Sequence, residues 1–214
     1  MKATKLKLAT RTLLNSAAPQ WSRVASEEIL LSGAPLHHQP SKYIRAAWAG
    51  RPIGAVRDLK VQVAHNGENI FFRLEWPDPT EDRDYGDGSK FPDAAAIVFP
   101  LNGSARLETL GSPESPVNAW YWRANQSDGK AEHLVSTGLG VFKEFGRAMV
   151  NANARWQDEK WAVVVSRPMT SKGGGVRMLG RKSVPVGFCV WEGSSQERAG
   201  LMSFSKTWRD LTIE

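Results

Sequence analysis

The sequence predicts a mainly β protein, an antiparallel β-sandwich with a few short helices. Short segments alternate apolar and polar residues with a period of two, as Leu59, Val61 and Val63 do in "DLKVQVAHN". Turn signals rich in Gly, Asn, Asp and Pro separate these segments at short intervals. Nine tryptophans in 214 residues add large apolar rings, which favours a β-rich core over a helical bundle. No helix–strand alternation occurs, so a doubly wound α/β fold is not expected.

The length of 214 residues fits one compact domain. Residues 1–20 are basic and lack a periodic pattern, so we expect an N-terminal arm there. Residues 21–214 are then a single β-sandwich domain.

Two hairpins are visible within this domain. Asn66-Gly67 is a hairpin turn signal between "DLKVQVAHN" and "IFFRLEWP". "ARWQDEKWAVVVSRPM" predicts a second hairpin that turns near Asp158-Glu159. Further strands are predicted in "EEILLSG", "AAAIVFPL", "VNAWYWRAN", "SVPVGFCVWEG" and "SFSKTWRDLTIE". Residues 139–152 are interpreted as one short helix, although Gly140 and Gly146 weaken it.

Charge and cysteine content exclude several classes of protein. The net charge is +6, but the basic residues are scattered and no nucleic-acid-binding motif occurs, so no nucleic-acid partner is expected. A single cysteine, Cys189, excludes an intrachain disulfide, a cysteine-based zinc site and the attachment motif of c-type haem. No apolar run reaches the length of a membrane span.

Searching for chemistry yields no catalytic residue. No nucleophile elbow, zinc-protease, Walker or dinucleotide motif is present. The four histidines are interpreted as surface or turn residues. Residues 77–92 form a polar loop, and its acids Asp82, Asp84 and Asp87 are spaced too loosely for a calcium loop, so a solvated loop is expected.

An unusual feature is the aromatic strand that contains Trp120, Tyr121 and Trp122. In a strand the two tryptophans share one face and Tyr121 takes the other. The rings then belong either to the core or to a ligand site, with Asn118 or Arg123 meeting a charged group of the ligand. The residues alone leave this choice open.

The order of motifs resembles one family. The motifs are "LKVQVAHNGENIFFRLEWPD", "FPDAAAIVFP", "GSPESPVNAWYWRAN", "KWAVVVSRPM" and "VGFCVWEGSSQERAGLMSFSKTWRDLTI". Together they resemble the haem b-binding gamma subunit of ethylbenzene dehydrogenase and of related molybdenum enzymes of the dimethyl sulfoxide reductase class. The resemblance covers about residues 55–214.

This resemblance implies a β-sandwich that carries one non-covalent haem b and transfers electrons to an external acceptor such as a cytochrome. The chain itself would not be catalytic. Its implied partners are an alpha subunit with molybdopterin and a beta subunit with iron–sulfur clusters. The implied location is the periplasm, reached by co-export with the alpha subunit.

The family's axial haem ligands, by the same resemblance, are a methionine and a lysine. At the methionine's place this chain has Leu110, which has no ligating atom, and at the lysine's place it has Met202, whose thioether is able to ligate iron. His133, Met178 and Lys206 are considered as the second ligand, along with water or none. The haem contacts are predicted to be Met202, Leu110, Asn118, Trp120, Trp122 and Arg123, with Met202 as the metal ligand.

Two other functions remain open at this stage. The substitutions at Leu110 and Met202 favour a haem-free structural or assembly subunit of the same kind of complex. A carbohydrate-binding sandwich is the other possibility, and it requires that Trp120 and Trp122 be exposed.

Overall fold

The computed structural model describes residues 1–126, 129–146, 149–170 and 173–213. They contain thirteen strands and two short α-helices. The strands are β1 (Lys2–Lys5), β2 (Ser26–Gly33), β3 (Asp58–His65), β4 (Asn69–Pro77), β5 (Ala94–Pro100), β6 (Val117–Arg123), β7 (Glu132–Ser136), β8 (Phe142–Glu144), β9 (Asn151–Trp156), β10 (Lys160–Pro168), β11 (Ser183–Trp191), β12 (Ser203–Ser205) and β13 (Arg209–Ile213). The α-helices are α1 (Thr10–Leu14) and α2 (Lys42–Ala47), and 3-10 helices span Pro19–Arg23 and Leu36–His38.

The strands form one hydrogen-bonded path in the order β8-β7-β6-β5-β11-β12-β2-β3-β4-β10-β9. Strand β2 belongs to both halves of this path, since Ser26–Leu30 pair with β3 and Leu31–Gly33 pair with β12. The path is antiparallel, and β1 adds two parallel pairings, to β3 and to β13. The predicted mainly β sandwich with short helices is confirmed.

The sandwich core lies between the two halves of the path. One half contributes inward residues of β3, β4 and β10, such as Phe72 and Trp161, and the other contributes those of β5, β6 and β11, such as Trp120 and Phe188. Successive side chains of a strand point to opposite faces, so the same strands also present apolar residues outward.

Both outward faces are covered. On the β3–β4–β10 half, Ala64, Phe71 and Val164 pack against Leu13, Trp21 and other residues from the first 24 positions. The segment expected as an arm, residues 1–20, thus contains β1 and α1 and lies against this face. Loops cover the outward face of the β5–β6–β11 half, and this second layer contains the candidate site.

Both predicted hairpins are present. Strands β3 and β4 pair across the turn at Asn66-Gly67, and β9 and β10 pair across Asp158-Glu159, whose φ angles of 52° and 53° are left-handed. The helix expected over 139–152 is wrong for the described residues, which form β8 and the start of β9 instead; residues 147–148 lie outside the described part. Gly140 and Gly146 have φ of 74° and 65°, which a right-handed helix does not allow.

None of the helices in the described part of the chain has the length and apolar character that a membrane span requires.

Candidate functional site

The outer layer is the apolar cluster between the β5–β6–β11 half and the loops that cover it. Its buried members are Ala34, Ala94, Ala96, Val98, Ala105, Leu107, Leu110, Val117, Ala119, Leu134, Leu139, Cys189, Trp191, Met202 and Phe204. Leu110 and Met202 are therefore in the same layer, although Met202 lies 92 positions after Leu110 along the chain. The fold brings together the two positions that the family resemblance singles out.

Leu110 is directed into the outer layer by a tight turn. Its φ of 51° is left-handed, a conformation that costs a residue other than glycine about 1 kcal/mol or more. The turn is held because the Leu110 amide donates to the Leu107 carbonyl at 3.0 Å and the Ser136 hydroxyl donates to the Leu110 carbonyl at 2.8 Å. Position 110 is thus a fully buried, firmly placed leucine.

Met202 enters the same layer from the segment just before β12. Its carbonyl accepts a hydrogen bond from the Ala34 amide at 2.9 Å, and its side chain is fully buried. The turn before it uses Ala199 with φ of 52°. Met202 is the one thioether in the buried outer layer.

A cavity of about 200 Å³ lies beside Met202, between three loops. This loop cavity is lined by residues 39–41, 44, 139–141 and 198–201. Neither Leu110 nor Met202 is among the lining residues. Both family ligand positions are instead fully buried among the packed apolar side chains of the outer layer.

The residues of the outer layer do not fit a six-coordinate haem. Leu110 has no ligating atom, so Met202 would stand alone. Burial raises the pKa of the Cys189 thiol and of the Tyr121 phenol, so both groups are neutral in this packed layer. His133 and Met178 do not take the place of a second axial ligand, because His133 contacts Arg167 and Met178 lies in the sandwich core. Met178 packs in the sandwich core, on the other side of the sheet, and Lys206 is exposed.

Strand β6 places the two tryptophans inward. Trp120 and Trp122 are 1% and 5% exposed and belong to the sandwich core. Trp120 lies 4.7 Å from Phe99 between ring centroids, and Trp122 lies 5.0 Å from Trp161. Both rings are separated by the sheet from Met202. A carbohydrate-binding role for Trp120 and Trp122 requires exposed rings, and both rings are buried.

Asn118 also points inward, and both its amide nitrogen and its amide oxygen form hydrogen bonds within the chain. Its amide nitrogen donates to the Leu134 carbonyl at 2.9 Å, and its oxygen accepts from Trp120 Nε1 and from the Val176 amide, both at 3.3 Å. Nearby, Arg167 Nη1 lies 3.3 Å from His133 Nε2. Burial and this guanidinium lower the pKa of His133 to about 4, so the ring is neutral. These contacts anchor the turn at Gly173–175 to β6.

Arg123 lies at the end of β6 on the outward face. Its Nη2 donates to Glu132 Oε1 at 2.7 Å, and its Nη1 donates to the Tyr85 hydroxyl at 2.9 Å. Its charge is therefore paired within the chain. The structure brings together Leu110 and Met202, and it places Asn118, Trp120 and Trp122 on the opposite face of the sheet.

Sequence reasoning missed a cluster of buried carboxylates. Oxygens of Asp78, Asp93 and Glu192 lie within 4.8 Å of one another. Asp93 accepts hydrogen bonds from Trp161 Nε1 at 3.0 Å and from the amides of Asp82 and Gly193, each at 2.9 Å. Asp93 thereby links Asp82, within the 77–92 loop, to Gly193 in the turn after β11. Oxygen-only groups of this kind suit a hard cation, and the protein's own donors also satisfy them.

The solvated-loop interpretation is therefore wrong at Asp82, which is buried. It holds at Asp84 and Asp87, whose side chains are exposed. The available signal was the position of the acids at strand ends, since Asp78 directly follows β4, Asp93 directly precedes β5 and Glu192 directly follows β11.

The carboxylate cluster predicts a pH dependence of stability. Burial, with repulsion from Asp93, raises the pKa of Asp78 to about 7, and burial raises that of Asp93 to about 6. A raised folded-state pKa means that the folded chain binds the proton more tightly, so this stability is present near pH 4 and is lost as pH rises towards 7. Relative to wild type, we expect Asp78→Asn to gain on the order of 2 kcal/mol in unfolding free energy between pH 5 and pH 8.

Chemical denaturation of the two proteins at both pH values measures this gain. The difference cancels His133, whose lowered pKa acts in the opposite direction between pH 4 and 6.5. Asp87→Asn, at an exposed carboxylate, is the matched control and should show no gain. An equal change for both variants contradicts the prediction.

The fold defines the class of protein: the chain is a β-sandwich of the kind found in carbohydrate-binding modules. Solved structures of a family 9 carbohydrate binding module from Caldicellulosiruptor kristjanssonii, with glucose and with cellotriose, have TM-scores of 0.58 and 0.56 to this chain. The alignments cover 100% of this chain and 95% and 93% of theirs, at 7% identity in each case. At that identity the likeness shows the fold alone.

Sequence comparison then gives the family. The family model described as ethylbenzene dehydrogenase matches residues 18–144 and 135–203, and the chain belongs to this family. The resemblance seen in the motifs is thereby confirmed.

Three curated relatives are similar over most of this chain. The chlorate reductase gamma subunit of Ideonella dechloratans is 35% identical over 73% of this chain, and the dimethylsulfide dehydrogenase gamma subunit of Rhodovulum sulfidophilum is 33% identical over 88%. A provisionally named respiratory nitrate reductase heme subunit, ORF7, of Haloferax mediterranei is 34% identical over 87%. The chain spans 65%, 71% and 63% of the length of these relatives, respectively.

Proposed function

We propose that this chain is a non-catalytic, gamma-type subunit of a molybdenum oxidoreductase complex, and that it serves there as a haem-free structural subunit. One observation carries the haem-free part of the proposal. Leu110 and Met202 lie in one packed apolar layer, and only Met202 has a ligating atom. The gamma-subunit names of two relatives support the subunit role.

The proposal includes the partners that the family resemblance implies. These are a catalytic alpha subunit with molybdopterin and a beta subunit with iron–sulfur clusters, in a periplasmic complex that is exported as a unit. The chain then contributes a rigid sandwich surface, since its core residues and both outer layers are packed.

A second candidate function is electron transfer through haem b, with Met202 as one axial ligand. It is favoured by the position of the Met202 thioether and by the naming of the Haloferax relative as a heme subunit. In this case the outer layer opens beside the loop cavity, and an external acceptor such as a cytochrome takes the electrons.

Co-expression with the alpha and beta subunits tests both candidates. We expect the chain to purify in a constant ratio with the molybdenum subunit, and to contribute no haem absorption to the oxidised or reduced spectrum. Sharp α and β bands on reduction that change in Met202→Ala would instead establish the haem candidate. A chain that never associates with the molybdenum subunit overturns the subunit role itself.

A further inference from the structure

The loop cavity is too small for a whole cofactor and suits one side chain. Ligand pockets for drug-sized molecules measure about 300–1,000 Å³. The loop cavity measures about 200 Å³, and its apolar wall contains Ile44, Leu139, Val141 and Leu201. An apolar cavity of about 150 Å³ holds one benzene ring. The size and the wall therefore match a single aromatic group.

The walls of the loop cavity are held in place before anything binds. The buried Gln39 amide donates to the Gly200 carbonyl at 2.6 Å, which ties the 39–41 loop to the 198–201 turn. A Cβ on Gly200 would lie 2.5 Å from Gln39 Oε1, so the absence of a side chain permits this contact. A preformed pocket reduces the entropy that a partner loses on binding.

Three arginines without an ion-pair partner in the described ranges belong to the loops that line this cavity or bond to residues beside them, and we call them the rim arginines. They are Arg45, Arg51 and Arg198. In the described ranges, the arginine ion pairs are those of Arg73, Arg83, Arg106 and Arg123.

Each rim arginine is positioned by neutral groups. Arg45 donates to the carbonyls of Gln39 and Pro40, which line the cavity. Arg51 donates to the Gln196 side chain at 3.0 Å, and its guanidinium lies 4.1 Å from the centre of the Trp48 ring. Arg198 donates to the Gln196 carbonyl at 3.0 Å. These contacts fix the guanidinium groups, and none of the contacting groups carries a negative charge.

The edge of the loop cavity also exposes apolar side chains. Val141 lines the cavity and is 40% exposed, and Tyr43, next to the lining residue Ile44, is 75% exposed. A small apolar cavity, an exposed apolar edge and unpaired arginines form the combination found at protein interfaces, where one buried anchor is surrounded by charged contacts.

We infer that the loop cavity receives one aromatic side chain from an acidic segment of a partner subunit. This inference rests on the proposed subunit role and adds to it the surface of contact and the chemistry of the partner segment. The aromatic ring fills the apolar cavity, and the acidic flanks pair with the rim arginines. Charge complementarity selects an acidic segment, because none of the three rim arginines has a carboxylate partner within the described ranges.

Affinity measurements on the complex test the inference. With the purified alpha and beta subunits immobilised, we expect Arg51→Glu and Val141→Glu each to raise the Kd of this chain about tenfold or more. Arg209→Glu, an exposed arginine on β13, and Val141→Thr, a substitution of similar size, are the matched controls and should leave Kd within about twofold.

The outcomes distinguish a failure of the proposed subunit role from a failure of the loop-cavity inference. A wild-type chain that does not bind the alpha and beta subunits contradicts the proposed function. A wild-type chain that binds, with Arg51→Glu and Val141→Glu indistinguishable from their controls, overturns the loop-cavity inference and leaves the subunit role standing.

A synthetic peptide provides a second readout without the complex. The probe is acetyl-Glu-Asp-Phe-Glu-Asp-amide, and its control has Ala in place of Phe. We expect the Phe peptide to shift the methyl resonances of Val141, Leu139 and Leu201, and the Ala peptide to shift none of them. Equal shifts from both peptides, or shifts confined to other residues, contradict an aromatic anchor in the loop cavity.

Discussion

The double variant Leu110→Met/Met202→Lys is expected to bind haem b more tightly than the unaltered chain, because it offers two axial ligands where the unaltered chain offers one thioether. It restores the methionine and lysine that the family resemblance implies at two positions that the fold already brings into one layer. The left-handed turn at Leu110 directs residue 110 inward, so a methionine there would be aimed at the same layer. Haemin titration, followed by the spectrum after reduction, measures the gain.

The apo form of this double variant should be less stable than wild type. A lysine at the fully buried position 202 loses its hydration without a carboxylate partner, which destabilises the folded state. Haem that binds only the folded chain should then raise the unfolding midpoint. The combination Leu107→Met/Met202→Lys is the matched control, since Leu107 lies in the same layer.

Two results would contradict this account. Equal haem binding by the double variant and by its Leu107 control would show that residue 110 is not aimed at the iron. Haem binding by wild type with the spectrum of two strong axial ligands would show that the substitutions at 110 and 202 did not remove the site.

Trp120→Ala is expected to lower the free energy of unfolding by about 3–5 kcal/mol, because it leaves a cavity in the sandwich core. The indole ring is 1% exposed and packs edge-on against Phe72, at 5.8 Å between ring centroids, and in a tilted arrangement against Phe99, at 4.7 Å. The substitution also removes the donor to Asn118 Oδ1. Denaturant unfolding of the purified chain measures the loss.

Trp120→Phe and Tyr85→Ala are the comparisons for this loss. The phenyl ring retains much of the packing and should cost less than the alanine, and Tyr85 is 60% exposed, so its removal should cost under about 1 kcal/mol. If the Trp120→Ala protein were as stable as the Tyr85→Ala protein, the Trp120 ring would not contribute to the sandwich core, and the prediction would be wrong.

The alternation of side chains along strands made most of the fold predictable. The period of two in β3 and the Asn66-Gly67 signal are local, and their hairpin is present as expected. The helix over 139–152 was wrong because an apolar segment with two glycines fits a helix about as well as it fits short strands. Pairing of β8 with β7, a contact between segments, decided in favour of strands.

The candidate site was predictable only in part. The motif order identified the family, and it marked Leu110 and Met202. It did not reveal that Asn118, Trp120 and Trp122 face the sandwich core, because alternation fixes which residues share a face but not which face meets the outer layer. The carboxylates of Asp78 and Asp93 flank the loop between β4 and β5, whereas Glu192 follows β11, so their meeting depends on a contact between distant segments.

By itself, then, the sequence determined the β architecture, the hairpins and the family, since each depends on local periodicity, turn residues or motif order. Only the tertiary structure decided which side of the sheet each aromatic ring occupies. It also decided that Leu110 and Met202 share a packed layer, and that a small cavity with unpaired arginines opens beside it. The physical reason is that burial and charge pairing depend on residues distant in the chain, which the folded sheet alone brings into contact.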